Sequence, residues 1–228
     1  MKLLIKFPTR NRPTKFLTVL NQYIQKLDDK ETKIIISCDN DDELMKTDIV
    51  RDVLSQYKNV EIKFDDNKSK IEAINSGLND VNFDILLLAS DDMVPLVNGY
   101  DTIIKEKMTT HYPDTDGVLW FNDGHQENKL NTLCILGKKY YDRFGYIYHP
   151  DYFSVWSDNE FMDVANILKK QTYFEQVIIE HKHPDWGFGG RDSIHINNVK
   201  NENKDKSTYL KRKSVNFDIW KIFVQYLT

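Results

Sequence analysis

The stretch DILLLASDDMVP, residues 84–95, joins an unbroken apolar run to two adjacent acidic residues. The run from Ile85 to Ala89 predicts a strand that is buried on both faces, which is typical of a central strand in a parallel sheet. Asp91 and Asp92 follow where open α/β sheets bind their ligands, beyond the carboxyl end of the strand. Two neighbouring carboxylates repel each other unless water or a cation compensates them, and oxygen donors suit Mg²⁺ or Mn²⁺. The stretch therefore predicts a divalent metal site; the alternative is a solvated turn in which an Asp caps the next helix.

The composition is that of a globular protein with one large core. The chain has 228 residues, of which 40% are apolar and 29% charged, and its net charge of -4 gives it no general attraction for nucleic acid. Cys38 and Cys134 lie in no CxxC or His-rich neighbourhood, which argues against zinc and favours a reduced setting. The N-terminal apolar run is too short for a signal peptide, and no stretch approaches the ~20 apolar residues of a membrane span. We therefore expect a soluble, cytoplasmic protein.

Strand and helix patterns alternate through residues 1–95. Such alternation predicts a mostly parallel α/β sheet flanked by helices. The predicted strands are residues 2–7, 33–37, 60–64 and the run from Asp84, and the predicted helices begin at Pro13 or Thr14, at Asp41 or Asp42, and at Lys68.

The second half of the chain has a less regular pattern and predicts an elaboration of the same domain. Residues 197–213 are rich in Asn and Lys and read as a mobile connection, and residues 215–227 read as an amphipathic helix. The other predicted helices are residues 100–108, 138–144 and 157–169, and the predicted strands are residues 117–121, 132–136 and 173–179.

Several motifs of the first half resemble those of the family 2-like, nucleotide-sugar-dependent glycosyltransferases of the GT-A fold. IKFPTRNRP (residues 5–13) resembles the opening strand and turn of that family, and KSKIEAINSG (residues 68–77) resembles its basic Asn-Gly helix. Asp39 resembles its carboxylate for the nucleotide base, and residues 86–95 are similar to its acidic DxD-type strand end. The family usually carries an acidic residue where this chain has Ala89 or Ser90, which leaves open whether Asp91 or Asp92 is the direct metal ligand.

The resemblance continues to about residue 170. GKKYYDRFG (residues 137–145), Tyr152-Phe153 and WSDNEF (residues 156–161) are similar, in this order, to the acceptor-side segment that ends in the acidic "ED" motif of the family. The resemblance implies a single GT-A-like domain in three parts. These are a nucleotide-binding half (residues 1–95), an acceptor and catalytic half (residues 96–196), and a polar connection with a C-terminal helix (residues 197–228).

The implied reaction is a metal-dependent transfer of a sugar from a nucleoside-diphosphate sugar to an acceptor hydroxyl of a glycan, lipid or other molecule, with inversion. Mn²⁺ or Mg²⁺ held by Asp91 and Asp92 would neutralise the charge that grows on the departing diphosphate. Asp158 matches the general base of the family, with Glu160 sharing or replacing that role. The alternative for residues 157–160 is a helix-capping run. The resemblance assigns the nucleotide sugar to Pro8, Thr9, Arg10, Asn11, Arg12, Asp39, Lys70, Asn75, Ser90 and Asp91.

Two further expectations concern single side chains. His181 and His183 follow a predicted strand, and one of them would complete the metal shell, as a late His does in some relatives; the alternative is an exposed polar strand end. Asp158 lies at the start of a predicted helix, and the helix N-terminus is expected to lower its pKa.

Two other functions fit parts of the sequence. A nucleotidyltransferase on a similar sheet would normally have a Gly-rich phosphate loop after the first strand, whereas the turn here is TRNRP and contains no glycine. A catalytically inactive sugar- or nucleotide-binding module would have no need of the acidic residues at positions 91, 92 and 158.

Overall fold

Nine strands account for the β-structure in the computed structural model of the chain, which describes residues 1–188 and 200–220. They are β1 (Leu3–Pro8), β2 (Lys33–Asp39), β3 (Val60–Asp65), β4 (Ile85–Leu88), β5 (Met93–Pro95), β6 (Val118–Phe121), β7 (Ile135–Gly137), β8 (Gln171–Phe174) and β9 (Ile179–His181).

Seven of these strands form the central sheet, in the order β3-β2-β1-β4-β7-β6-β8. Within it β7 runs antiparallel to both of its neighbours, and the other strand pairs are parallel. β5 and β9 pair antiparallel in a separate two-stranded sheet. The predicted α/β fold with a mostly parallel central sheet is confirmed.

Helices cover the sheet and connect its strands. They are α1 (Pro13–Lys26), α2 (Asp48–Leu54), α3 (Lys70–Asn75), α4 (Tyr100–His111), α5 (Lys138–Asp142), α6 (Ser157–Ile167) and α7 (Glu202–Ser214), with short 3-10 turns at Pro184–Trp186 and Asn216–Asp218. Among the described residues no helix combines the length and apolar character that a membrane crossing requires.

The strand β4 is buried on both faces, as its apolar run predicts. Ile85 and Leu87 pack into one core cluster together with Phe7 of β1 and Phe16 of α1. Leu86 and Leu88 point to the opposite face and belong to a second cluster with α3, α5 and α6. Because side chains alternate along a strand, a continuous apolar run is needed wherever helices cover both faces of a sheet. Asp91 and Asp92 therefore follow directly after a strand that is buried on both faces.

Three predictions about secondary structure are wrong: the start of one helix, one strand, and one connecting segment. The helix expected from Asp41 or Asp42 begins at Asp48, because the carboxylate of Asp42 instead closes a turn by accepting from the backbone N–H of Met45 (3.1 Å). The single strand expected at residues 173–179 is two strands, β8 and β9, which belong to different sheets.

The mobile connection expected at residues 197–213 is wrong for its larger part, which forms α7. The residues that α7 buries are Asp205, Tyr209 and Arg212. They have helical spacing but little apolar character, so a search for an apolar stripe does not find them. Of the helix expected at residues 215–227, residues 216–218 form a 3-10 turn, and residues 221–228 lie outside the described part of the chain.

Candidate active site

The turns after β1 and β2 meet at one edge of the sheet because these strands are parallel neighbours. Arg10 contacts Asp39 and forms a bidentate ion pair with Asp41 (2.7 and 2.8 Å). The second oxygen of Asp39 accepts from the side-chain amide of Asn67 (2.9 Å). Arg10 and Asp39 thus lie together, as the sequence predicts, and both oxygens of Asp39 are engaged by neighbours.

The rest of the β1 turn is held by backbone contacts. Pro8 ends the strand, and the backbone N–H of Thr9 donates to the carbonyl of Ser37 in β2 (3.0 Å). Asn11 has a left-handed backbone (φ 55°), and its N–H donates to the carboxylate of Asp42 (2.7 Å). This turn directs the side chain of Arg12 towards the end of β4.

Asp91 is neutralised by cations of the β1 turn and of α1. Its carboxylate is buried and lies 2.9 Å from a guanidinium nitrogen of Arg12 and 3.3 Å from the ammonium of Lys15. Asp91 therefore braces the first turn against the end of β4. Both partners of Asp91 are cations at neutral pH and have no lone pair to offer a metal ion.

Asp92, by contrast, lies beside the two-stranded sheet formed by β5 and β9. One oxygen accepts from the hydroxyl of Ser90, and the other lies 3.8 Å from Nε2 of His181. The backbone N–H of Lys182 donates to the carbonyl of Asp92 (2.7 Å), so the pairing of β5 with β9 sets the position of His181.

A third carboxylate, missed by the sequence analysis, completes this arrangement. Asp123 lies two residues beyond β6, is buried, and places an oxygen 3.6 Å from Nδ1 of His181. It also accepts from the hydroxyl of Thr132 and from the N–H of Gln126, both at 2.6 Å. The available signal was its place just after a buried strand, but no family motif covers it.

The charges of this group are mutually stabilised. Burial alone lowers the pKa of His181, but the carboxylates of Asp123 and Asp92 outweigh it and raise that pKa to about 9. Burial alone raises the pKa of Asp92, but His181, the hydroxyl of Ser90 and the charge of Lys70 hold it far below the usual range of an aspartate. Asp92 is therefore an anion at any physiological pH.

Asp158 lies in the first turn of α6, and its pKa is shifted in the opposite direction to that of Asp92. Its side chain is half-buried, and burial raises its pKa although the charges of Lys70 and His181 and the N–H of Asn159 act against the rise. The expectation that the helix N-terminus lowers this pKa is wrong, because the loss of hydration is the larger effect. The influence of Lys70 on both Asp92 and Asp158 shows that α3, β4 and α6 bring these groups into one region.

Glu160 does not face this region as a free base. It is buried and paired with Arg212 through contacts of 3.0, 2.7 and 2.8 Å, and it also accepts from the hydroxyl of Tyr152 (2.7 Å). A carboxylate with these partners joins α6 to α7. The structure thus gives Glu160 a structural role and does not support its expected share in catalysis.

Asn75 also departs from its expected role. Its side-chain amide donates to the carbonyl of Tyr148 (2.7 Å) and accepts from the N–H groups of Ile147 and Tyr148 (2.9 and 3.2 Å). Asn75 therefore fixes the loop before α6, with its hydrogen-bonding capacity used by that loop and not directed to a nucleotide sugar.

The expected four-residue metal set is not assembled. In residues 1–188 and 200–220, no group of three or more His, Cys, Asp or Glu side chains is placed to hold a metal ion. Asp91 is paired with cations, and the ring of His183 packs edge-on against that of His181 at 5.4 Å. The pair Asp92–His181 is the part of the expected set that lies close together.

Comparison with solved structures identifies the fold. The chain is similar to the mannosyltransferase PcManGT from Pyrobaculum calidifontis, solved with GDP-Man and Mn²⁺, with a TM-score of 0.61 and 12% identity over 80% of this chain and 57% of that chain. It is also similar to TarS of S. aureus, with a TM-score of 0.60 and 16% identity over 79% of this chain and 36% of that chain. A shorter TarS chain solved with UDP-GlcNAc matches with a TM-score of 0.56 and 16% identity over 79% of this chain and 58% of that chain.

These likenesses establish the fold of nucleotide-sugar glycosyltransferases, as the sequence motifs predict. No family model and no curated protein matches the chain by sequence. The chain spans between 36 and 60% of the length of the solved structures it resembles.

Proposed function

We propose that the chain is a metal-dependent glycosyltransferase that moves a sugar from a nucleoside-diphosphate sugar to an acceptor hydroxyl with inversion. The observation that carries this proposal is the cluster formed by Asp92, His181, Lys70 and Asp158, beyond the carboxyl end of β4. Ligands of open α/β sheets bind at this edge. Similar folds have been solved with GDP-Man and Mn²⁺ and with UDP-GlcNAc, which supports a nucleotide-sugar donor.

Asp92 and His181 fit a divalent metal ion. The carboxylate of Asp92 and the imidazole of His181, with its proton released, would hold Mn²⁺. Because the pKa of His181 is raised to about 9, binding of the ion would displace that proton. Asp123 lies beside the other ring nitrogen, as the carboxylates that orient metal-binding histidines commonly do. Ions such as Mg²⁺ and Mn²⁺ need few protein ligands because phosphate oxygens and water fill the other positions. We therefore favour Asp92 over Asp91, and His181 over His183.

A metal ion bound there would act as a Lewis acid for the diphosphate leaving group. The chain supplies further positive charge at the same edge through Arg12, Lys15 and Lys70. These cations would attract the diphosphate and stabilise the charge that develops as the sugar–phosphate bond breaks. Asp39, held by Arg10 and Asn67, is the proposed contact for the nucleotide base.

Asp158 is the proposed general base. It would accept the proton of the acceptor hydroxyl while that oxygen attacks the anomeric carbon. A raised pKa makes a carboxylate a stronger base and brings it nearer to the operating pH, which favours proton transfer. The acceptor hydroxyl and the diphosphate would then lie on opposite sides of the reacting carbon, which gives inversion.

The test is a thermal-shift screen of UDP- and GDP-sugars with and without Mn²⁺, followed by product analysis. A bound ligand raises the melting temperature by mass action, and we expect at least one nucleotide sugar to do so only when Mn²⁺ is present. Release of a nucleoside diphosphate with transfer of the sugar supports the proposal. Binding without turnover with every acceptor tried would favour an inactive binding module. Release of pyrophosphate from a nucleoside triphosphate incubated with a sugar 1-phosphate would favour a nucleotidyltransferase.

A further inference from the structure

The loop before α6 donates three consecutive backbone N–H groups to one buried carboxylate. Asp205 of α7 accepts from Phe153 at 2.9 Å through one oxygen, and from Ser154 and Val155 at 2.9 and 3.0 Å through the other. Its side chain is fully buried. Successive backbone N–H groups form a concave anion site, or nest. Here the anion that fills the nest is supplied by a distant part of the same chain.

This nest is close in sequence to the proposed base. Val155 is followed by Trp156, which has a left-handed backbone (φ 63°), and then by the first residues of α6, including Asp158. A bulky residue rarely adopts this conformation unless its surroundings enforce it. The ring of Trp156 packs against that of Tyr209 in α7 at 5.2 Å. The direction in which α6 begins is thus set by contacts with α7.

The same loop also touches the donor side of the site. The carbonyl of Phe153 accepts from the N–H of Ile71 at 3.4 Å, in the first turn of α3 and next to Lys70. The loop therefore lies between the helix that carries Lys70 and the helix that carries Asp158. A shift of the loop would change the distance between the proposed diphosphate-binding cation and the proposed base.

We infer that Asp205 is a positioning residue, which fixes the proposed base Asp158 relative to the donor through the amides of residues 153–155. This inference rests on the proposed function, because it assumes that Asp158 takes the proton. Hydrogen bonds to an ionised acceptor are about twice as strong as neutral ones, and an Asn at this position lacks the charge and one of the two acceptor oxygens. Displacement of a catalytic group by about 1 Å can cost on the order of 10²-fold in rate.

The experiment compares Asp205→Asn with a matched control, Asp163→Asn. Asp163 also joins α6 to α7, by accepting from the hydroxyl of Tyr209 (2.7 Å) and from Lys213 (2.9 Å), but it lies a turn further along α6 from Asp158. Both variants should lower the melting temperature. Assayed well below both melting temperatures, Asp205→Asn should lower kcat at least about tenfold with an unchanged KM for the donor, whereas Asp163→Asn should keep kcat within about twofold.

Hydrogen–deuterium exchange supplies a second measurement that does not depend on turnover. The amides of residues 153–161 should exchange faster in Asp205→Asn than in Asp163→Asn. Equal exchange in both variants, or unchanged kcat in Asp205→Asn when the wild-type chain transfers sugar, would overturn the inference and leave the proposed function standing. If the wild-type chain transfers no sugar, the proposed function is wrong, and exchange still decides whether Asp205 orders the segment that carries Asp158.

Discussion

On the two sides of the candidate site, the pKa values of the carboxylates are shifted in opposite directions. On the side of the strand ends, Asp92 lies beside His181 and Ser90, which hold its pKa far below the usual range. On the side of α6, burial raises the pKa of Asp158. A pair of titratable groups with pKa values driven apart is a common basis for dividing roles in an active site. A carboxylate that always remains ionised suits a metal ligand, and one with a raised pKa suits a group that gains and loses a proton.

The two sides also differ in how they are held. Around the strand ends, ion pairs such as Arg10–Asp41 are partly open to water, and salt and solvent reduce the strength of such pairs. Around α6, the pair Glu160–Arg212 and the nest at Asp205 are buried. Buried pairs lose much more when one partner is removed, because the other is left without compensation. We therefore expect a donor to rearrange the exposed Arg10–Asp41 pair easily, while the buried contacts around α6 remain a fixed support for the base.

The strongest test of this contrast removes the basicity of Asp158. Asp158→Asn keeps the shape of the side chain, and we expect turnover to fall roughly 10²–10⁴-fold, the usual contribution of a general base. Affinity for the nucleotide sugar, measured by calorimetry, should be almost unchanged. Glu160 would be the base after all if this variant has a normal rate while Glu160→Gln is inactive, although the melting temperature of Glu160→Gln shows that it is folded in the assay. If both variants remain active, the inverting mechanism itself is wrong.

The second test separates the two adjacent aspartates. Asp92→Asn should lower the rate roughly 10²-fold, the scale of losing an electrostatic partner of the transition state, and should raise the Mn²⁺ concentration needed for half-maximal activity. Asp91→Asn should leave the Mn²⁺ requirement unchanged, because its partners are Arg12 and Lys15. Full activity of both variants in the presence of EDTA would remove the metal from the mechanism.

A smaller effect is expected when the residue proposed to contact the nucleotide base, Asp39, is replaced. Asp39→Ala should weaken donor binding roughly 10- to 100-fold, since a hydrogen bond to a charged group contributes about 1.5–3 kcal/mol, with little change in turnover at saturation. Asp41→Ala is the control, because Asp41 is exposed and contacts the same Arg10. Equal losses in the two variants would mean that Arg10, and not Asp39, makes the relevant contact.

The sequence predicts the strand-end side better than the α6 side, for physical reasons. The strand β4 is a continuous apolar run, and β1 and β2 are largely apolar. The carboxyl ends of neighbouring parallel strands must lie together. The positions of Arg10, Asp39 and Asp92 follow from that geometry. The pairing of Asp91 with Arg12 does not follow, because it depends on the conformation of the turn after β1.

The support of the α6 side is invisible to an apolar pattern. Asp205 and Arg212 are polar residues in a lysine-rich segment, and they are buried only because loop amides and Glu160 receive them. Asp123 likewise becomes important only when β9 pairs with β5 and brings His181 to it. These roles depend on contacts between residues far apart in the chain, and a local sequence pattern does not predict such contacts.

The smallest effect expected is also the most direct measure of the contrast, because it concerns the acid limb of the pH profile. Burial raises the pKa of Asp158 above the ordinary value of 3.8. Turnover at saturating donor should therefore decline, as the pH falls, at a higher pH than an exposed aspartate would give, and this decline should be absent from the residual activity of Asp158→Asn.

The raised pKa of Asp158 also has a consequence for stability. A folded-state pKa above the unfolded value means that the folded chain binds the proton more tightly. Asp158 therefore stabilises the fold most below its unfolded pKa, and this contribution is lost as the pH rises through its folded pKa. Asn, which is never charged, should make the chain at neutral pH as stable as the wild type or slightly more stable. A lower melting temperature of Asp158→Asn at neutral pH, measured with Asn159→Ala as the control for disturbance of the same helix turn, would show that the ionised carboxylate stabilises the fold and is not held there at a cost.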